Sequence, residues 1–173
     1  FSFGHAAHSK VLGRGVPCVT VPTDLLAKNG AASTTAAKEF IAEQTANGIT
    51  VIKADEAAAV DAMAAKILEH PIASRLFASG VAEQSMFWRD EDTRVMLRGR
   101  SDWINEDVFG RPVVVDYKTT ARTADPTRFG WEARDYRYHM QDAWYREGLD
   151  TLTGDTHGFV FVVQEKTAPY LVS

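Results

Sequence analysis

The segment at residues 113–120, VVVDYKTT, combines a strongly apolar run with two charged side chains. Its three valines predict a strand buried on both faces, where a carboxylate and an ammonium group are costly unless they have a function. Because side chains two positions apart on a strand share a face, Asp116 and Lys118 should project together while Tyr117 points the other way. Such a pair could place a metal ligand beside a cationic group that holds a water molecule.

A second carboxylate, Asp102, precedes Asp116 by fourteen residues and lies in another strand-like segment, LRGRSDWI at residues 97–104. The segment 105–112 contains Gly110 and Pro112 and predicts the turn that pairs the two strands. Two carboxylates on neighbouring strands can converge on one hard cation, which oxygen ligands suit. An isolated Asp-x-Lys sequence is more commonly a salt bridge at a strand end, so that alternative stays open on these residues alone.

The composition predicts one folded domain that covers residues 1–173. With 45% apolar and 24% charged residues, the chain can bury a full core and is not a disordered segment. It has neither a long apolar run nor a signal peptide, so we expect no membrane segment and a cytoplasmic location. Because the chain starts with Phe1 rather than Met, we expect a fragment of a longer protein.

The cysteine and charge contents restrict the chemistry. The single cysteine, Cys18, excludes an intrachain disulfide and any thiolate cluster within the chain, including an iron–sulfur cluster. A nucleic-acid-binding domain is usually basic, but acidic residues around a divalent metal would account for part of the net charge of −4. Arginines of the central and C-terminal parts could still form a local basic groove. These are Arg94, Arg98, Arg100, Arg111, Arg122, Arg128, Arg134 and Arg137.

Apolar spacing predicts a helical first half, a β-rich centre, and a final helix with further strands. Ser33 or Thr34 and, later, Asp55 are the predicted caps of two helices. From about Val81 the apolar period changes to two, which predicts three or four antiparallel strands with a turn at residues 90–92. The predicted helices are 3–12, 35–46, 56–69, a short one from Pro71 that includes Ile72, Leu76 and Phe77, and 128–149. The predicted strands are 49–53, those between 81 and 118, 157–164 and 169–173.

Five short motifs follow one another between Gly4 and Tyr145. They are GHAAH at residues 4–8, AEQSMFW at 82–88, GRSD at 99–102, DYK at 116–118 and QDAWY at 141–145. Each is weak alone, but the five in one order make coincidence a poor explanation. They resemble the first-helix histidine, acidic-strand, Gly-x-x-Asp, (D/E)xK and QxxxY motifs of the PD-(D/E)XK nuclease superfamily. Within it, the chain resembles the phage-type RecE-like and RecB-like exonucleases, the relatives of lambda exonuclease.

The resemblance implies a fold and a metal site. The implied fold is α/β (α+β), with a restriction-endonuclease-like core, a mixed central β-sheet flanked by helices, and a helical N-terminal part. Asp102 and Asp116 would bind Mg²⁺ or Mn²⁺, as one or two ions, with the carbonyl of Tyr117 completing the shell. His8 and Glu83 would bind the same or a second ion. RecB-like members rely on the histidine and lambda-like members on the acidic residue, and this chain carries both.

The other motif residues would act in catalysis. Lys118 would orient the attacking water and help to deprotonate it, and hydrolysis would leave 5′ phosphates. Gln141 and Tyr145 are four positions apart on a predicted helix and therefore share a face, so they could contact a phosphate or the neighbourhood of Lys118. Spacing alone also permits a half-buried Tyr145 and a surface Gln141 without a function.

The resemblance further implies a biological setting. The substrate would be DNA, in particular linear duplex ends that are resected in recombination or repair, in a bacterium or a phage-infected host cell. Ring-shaped homo-oligomers and a single-strand annealing protein as partner are typical of these exonucleases.

Two alternatives to an active nuclease stay open. The first is a catalytically inactive nuclease fold that serves in nucleic-acid binding or assembly, although such decay usually removes one of Asp102, Asp116 and Lys118. The second is an unrelated α/β domain in which Asp116 and Lys118 are an ion pair at a strand end.

Overall fold

The N-terminal part of the chain alternates helices with two very short strands. The computed structural model describes residues 2–108 and 110–173 and divides the chain into two compact units, residues 1–65 and 66–173. In the first unit, β1 (Cys18–Thr20) pairs in parallel with β2 (Thr50–Ile52). The helices α1 (Ser2–Leu12) and α2 (Thr35–Ala46) both pack against β2.

The helix starts in this unit follow local capping chemistry. Thr34 caps α2 as predicted, because its hydroxyl accepts a 3.0 Å hydrogen bond from the backbone N–H of Ala37. The next helix, α3 (Ala54–Glu69), starts before its predicted cap, so Asp55 lies in the first turn. There, Glu56 accepts a 2.9 Å hydrogen bond from the backbone N–H of Lys53 and satisfies a donor that the helix leaves unpaired.

The second unit is built on a four-stranded mixed sheet. Its strands are β3 (Val81–Arg89), β4 (Met96–Asn105), β5 (Val113–Thr120) and β6 (Gly158–Glu165), in the spatial order β3-β4-β5-β6. The first three strands pair antiparallel, and β5 pairs in parallel with β6 along its whole length. This arrangement confirms the predicted α/β fold with a mixed central sheet, and it places the apolar strand β5 between two neighbours.

The connection between β5 and β6 contains two helices where the sequence predicted one at residues 128–149. They are α5 (Pro126–Asp135) and α6 (Tyr138–Thr153). The break falls at Tyr136 and Arg137, and Arg137 has a left-handed backbone with a φ of 58°. The prediction of one helix was wrong because helical periodicity does not reveal a break in the helix that tertiary contacts stabilise.

Three further element predictions need correction. The helix predicted from Pro71 is only α4 (Ala73–Leu76), for which Ile72 is the N-cap and Phe77 the C-cap. The predicted strand 169–173 is reduced to an isolated bridge between Gln164 and Val172. Between the predicted helices 3–12 and 35–46, where the sequence predicted no strand, the chain forms β1 and a short 3-10 helix, Thr23–Leu25.

The helix α6 packs on β3 and β4 through a core cluster formed by Met86, Trp88, Ile104, Val114 and Leu149. Gly148 of α6 lies against the Trp88 ring, and a Cβ atom at this position would approach that ring to 2.9 Å. The close contact therefore depends on the absence of a side chain.

No helix among residues 2–108 and 110–173 combines the length and the apolar content that a membrane-spanning helix requires.

Candidate active site

The side-chain alternation of β4 changes phase near Asp102. Leu97 and Ile104 both pack in the core cluster under α6, although residues an odd number of positions apart on a regular strand point to opposite faces. The register places Glu83 opposite Asp102, but the regular pairing skips this position, and Glu83 has a left-handed backbone with a φ of 55°. A left-handed residue other than glycine costs about 1–2 kcal/mol, and such strain is concentrated at functional sites.

Asp102 lies where the hydrogen-bond ladder between β4 and β5 ends. The antiparallel pairing stops at Trp103 and Val115, one position before Asp102 would face Asp116. Instead, Asp102 Oδ2 accepts a 3.0 Å hydrogen bond from the backbone N–H of Tyr117. Because residues opposite each other on antiparallel strands share a face, this register brings the two carboxylates to one side of the sheet.

Asp116 and Lys118 project from the same face of β5, as alternation predicted. Asp116 is 1% exposed, and its carboxylate forms an ion pair with the ammonium group of Lys118. The Lys118 Nζ atom also lies 4.9 Å from the ring centre of Tyr138 and 6.0 Å from that of Phe161. These aromatic faces attract the ammonium group and restrict where it can move.

Tyr117 points to the opposite face of β5, which confirms the predicted alternation. Its hydroxyl donates a 2.5 Å hydrogen bond to Gln164 Oε1, and its ring meets Phe77 edge-on at 6.3 Å between ring centres. Burial raises the pKa of this phenol, which therefore stays protonated. The role of the Tyr117 carbonyl as a metal ligand stays a prediction.

Glu83 on β3 is the third carboxylate of the candidate site, and we call Glu83, Asp102 and Asp116 the acidic cluster. Carboxylate oxygens of Glu83 and Asp102 lie within 4.8 Å of each other. Glu83 Oε2 also forms an ion pair at 2.9 Å with Nε of Arg100, whose side chain is 66% exposed. Arg100 thus offsets part of the repulsion that two neighbouring carboxylates would otherwise experience.

Gln141 and Tyr145 lie next to each other on one face of α6, as their spacing predicted. Burial raises the pKa of Tyr145, a hydrogen bond with Gln141 lowers it, and the charges of Asp116, Asp102 and Lys118 act on it as well. The phenol is therefore close enough to the acidic cluster to feel its field. Whether either side chain contacts a substrate stays a prediction.

His8 lies on α1 in the N-terminal unit and is half-buried. It directly follows the buried residues Ala6 and Ala7 in the sequence. Its assignment as a metal ligand stays a prediction, as does the description of residues 1–173 as one domain.

Sequence reasoning missed Tyr138, whose ring lies beside Lys118. The charge of Asp116 contributes to raising the pKa of Tyr138, after burial and the neighbouring Tyr136, which again indicates proximity to the cluster. No local motif marks this residue. It comes close to Lys118 only because α5 ends and α6 starts at this point.

The donor set of the cluster fits a hard divalent cation. Glu83, Asp102 and Asp116 supply carboxylate oxygens, the ligands that Mg²⁺, Mn²⁺ and Ca²⁺ prefer. Oxygens of Glu83 and Asp102 within 4.8 Å of each other can reach one ion at about 2.1–2.4 Å after small side-chain movements. A nearly fully buried carboxylate at Asp116 is also costly without a cationic partner, and Lys118 already supplies one.

Comparisons with known proteins agree with this fold. A family model described as a PDDEXK-like domain of unknown function (DUF3799) matches residues 26–172. A solved structure from Eubacterium rectale, of a protein provisionally named an exonuclease, is similar with a TM-score of 0.52 at 14% sequence identity. The similarity covers 80% of this chain and 52% of that one, so this chain spans about half of its length. No curated protein matches the sequence.

Proposed function

Because the chain belongs to the family of PDDEXK-like domains (DUF3799), within the PD-(D/E)XK nuclease superfamily, we propose that it is a metal-dependent deoxyribonuclease. The reaction would be hydrolysis of phosphodiester bonds in DNA, with Mg²⁺ or Mn²⁺ as the cofactor.

One observation supports this proposal: three carboxylates and a lysine lie on three neighbouring strands, with oxygens of Glu83 and Asp102 within 4.8 Å of each other and Asp116 on the strand next to that of Asp102. Asp102 binds the backbone of Tyr117, and Asp116 is paired with Lys118 on the same strand. Glu83, at a strained backbone position, has a carboxylate oxygen within 4.8 Å of one of Asp102. A simple strand-end ion pair requires neither the second and third carboxylates nor the strain.

Glu83, Asp102 and Asp116 would hold one or two ions, with His8 and the Tyr117 carbonyl as further proposed ligands. When bound, the ion supplies Lewis-acid stabilisation of the charge that develops on the phosphate oxygens. The chain's own residues then position the reactants. Asp116 holds the Lys118 ammonium group in place, which would allow Lys118 to orient the attacking water. As a cation, Lys118 would assist deprotonation by attracting the hydroxide that forms, while the proton leaves to solvent.

Gln141 and Tyr145 would contact the phosphate next to the scissile bond. Tyr145 is a neutral donor because burial raises its pKa, so it can give a hydrogen bond to a phosphate oxygen without adding charge. Cleavage on the side that leaves a 5′ phosphate is part of the proposal.

The finer description follows the resemblance to phage-type exonucleases. We infer that the enzyme acts at linear duplex ends in recombination or repair, as a homo-oligomer and together with a single-strand annealing protein. A cytoplasmic location in a bacterium or an infected host cell accompanies this role.

Incubation with end-labelled linear duplex and with closed-circular DNA, each with Mg²⁺, Mn²⁺ or EDTA, tests the proposal. Metal-dependent release of nucleotides from the linear substrate alone is expected for an exonuclease. Nicking or linearisation of the circle would establish an endonuclease instead. No cleavage of either DNA by the wild-type chain, with cleavage by a nuclease standard under the same conditions, would contradict the assignment.

A further inference from the structure

The break between α5 and α6 produces an aromatic pair next to Lys118. Tyr136 and Tyr138 lie on either side of the left-handed residue Arg137, and their rings stack with 5.6 Å between centres and 21° between planes. In a continuous helix, residues two positions apart do not face each other. The stacking therefore exists only because the helix stops at this point.

The inner ring of this pair is held rigidly. Tyr138 stacks on Phe129 at 6.0 Å between ring centres and lies 5.8 Å from Phe161. The Lys118 Nζ atom lies 4.9 Å from the centre of the same ring. A side chain in contact with two aromatic rings and an ammonium group has little freedom, so it is a firm support for its stacked neighbour.

The outer ring is open to solvent. Tyr136 is 68% exposed although it stacks on Tyr138, so most of its surface has no protein neighbour. Two unfavourable features occur together here: an aromatic ring exposed to water and a left-handed backbone at the next residue. The backbone strain alone costs about 1–2 kcal/mol. Tyr136 stacks on Tyr138, and the Tyr138 ring lies beside Lys118, the lysine that we propose orients the water that attacks the phosphate.

We propose that the Tyr136–Tyr138 pair is a stacking platform for an unpaired base of the nucleic-acid substrate, next to the scissile phosphodiester. The inference rests on the proposed function, because it assumes that Lys118 marks the position of the phosphate. The ligand is a nucleobase because a rigid, exposed aromatic ring beside a phosphate-processing site offers a flat π-surface that any base can cover. The base is unpaired or terminal, because a base inside a duplex already stacks on both of its neighbours.

Photochemical cross-linking tests the contact without altering the protein. Single-stranded oligodeoxynucleotides that carry 5-iododeoxyuridine at successive positions are bound in Ca²⁺ and irradiated, and the attached peptide is identified by mass spectrometry. Attachment at Tyr136 is expected. Attachment only at other residues, such as the exposed Trp131 of α5, would overturn the platform.

Substitution tests the energetic contribution. Tyr136→Ala should weaken binding of a single-stranded oligothymidylate in Ca²⁺ about tenfold, because stacking contributes about 1–3 kcal/mol per base. Tyr136→Phe keeps the ring and should retain near wild-type affinity. Trp131→Ala removes an exposed ring that stacks with Arg134 elsewhere on α5, and it should bind like the wild type.

Binding and cleavage measured together distinguish failure of the stacking platform from failure of the proposed nuclease function. Equal affinity of Tyr136→Ala and wild type, in a protein that still cleaves DNA with Mg²⁺, would overturn the platform and leave the proposed function standing. Loss of affinity in Tyr136→Phe as well would show that the hydroxyl, not the ring surface, is recognised, which also overturns it. Absence of both binding and cleavage in the wild type would refute both proposals.

Discussion

Asp116 is the residue on which the proposed metal site depends most. Asp116→Asn should abolish cleavage of linear duplex with either Mg²⁺ or Mn²⁺, because it removes the charge of the ligand and nearly preserves its shape. Circular dichroism and a cooperative melting transition should show that the fold persists. Asp92→Asn, in the exposed turn between β3 and β4, is the matched control and should cleave like the wild type. Near wild-type cleavage by Asp116→Asn would remove Asp116 from the site.

Lys118 should matter for turnover more than for binding. If it orients the attacking water, Lys118→Ala should bind DNA in Ca²⁺ about as well as the wild type and fail to cut in Mg²⁺. The experiment compares the dissociation constant with the single-turnover rate. Loss of binding together with cleavage would instead identify Lys118 as a phosphate clamp.

His8 and Glu83 differ in ligand type, which allows their roles to be separated. An imidazole nitrogen favours Mn²⁺ over Mg²⁺, whereas a carboxylate suits both ions. His8→Ala should therefore impair cleavage in Mg²⁺ and recover partly in Mn²⁺, and Glu83→Ala should weaken cleavage with both metals. Rates measured against metal concentration decide between them, and an unchanged dependence in either variant assigns that residue a structural role.

At the scale of elements, the packing of α6 on β3 depends on a glycine. Gly148→Ala should destabilise the protein by about 1–3 kcal/mol, because the new Cβ would come within 2.9–3.1 Å of three ring atoms of Trp88. Gly130→Ala in α5 is the matched control, since a Cβ there meets nothing within 4 Å and alanine raises helix propensity by up to about 1 kcal/mol. Urea unfolding measures both effects. Equal stability changes in the two variants would contradict this packing.

The break between α5 and α6 makes a second prediction at this scale. Arg137 holds a φ of 58°, which glycine tolerates and a β-branched residue does not. Arg137→Val should therefore be less stable than Arg137→Gly by about 1–2 kcal/mol in urea unfolding. Similar stabilities would indicate that residue 137 adopts a right-handed backbone in solution.

At the scale of the whole molecule, metal binding should be visible as a gain in stability. A cation at one hundred times its dissociation constant adds about 2.7 kcal/mol to the free energy of unfolding by mass action. For a chain of this size that gain raises Tm by roughly 5–10 °C. Melting with and without Mn²⁺ should show the shift in the wild type and a much smaller one in Asp102→Asn. An equal shift in both would place the binding elsewhere.

The acidic net charge is compatible with a nucleic-acid substrate at this scale. The chain has a formal charge of −4, and the carboxylates of the candidate site, Glu83, Asp102 and Asp116, are among the negative charges that it counts. A divalent ion bound there reverses the local field that a phosphate meets. Charge summed over the whole sequence is therefore a poor guide to what this surface binds.

Much of the candidate site could be predicted from the sequence because it depends on local geometry. Alternation along β5 placed Asp116 and Lys118 together and Tyr117 opposite them, and the turn before β5 paired it with the strand that carries Asp102. Helical spacing likewise brought Gln141 and Tyr145 to one face. These relations hold between residues that are near neighbours in one element, where backbone geometry alone determines direction.

Tertiary structure alone decided the features that break local regularity. The left-handed backbones of Glu83 and Arg137 oppose the preferences of those residues, so no propensity or period could indicate them. They persist because contacts between distant residues offset their strain, such as the packing of Tyr138 against Phe161 and Lys118. The energy of such contacts depends on how elements meet in space, and for this reason the phase change at Asp102 and the aromatic pair beside Lys118 could be found only in the folded chain.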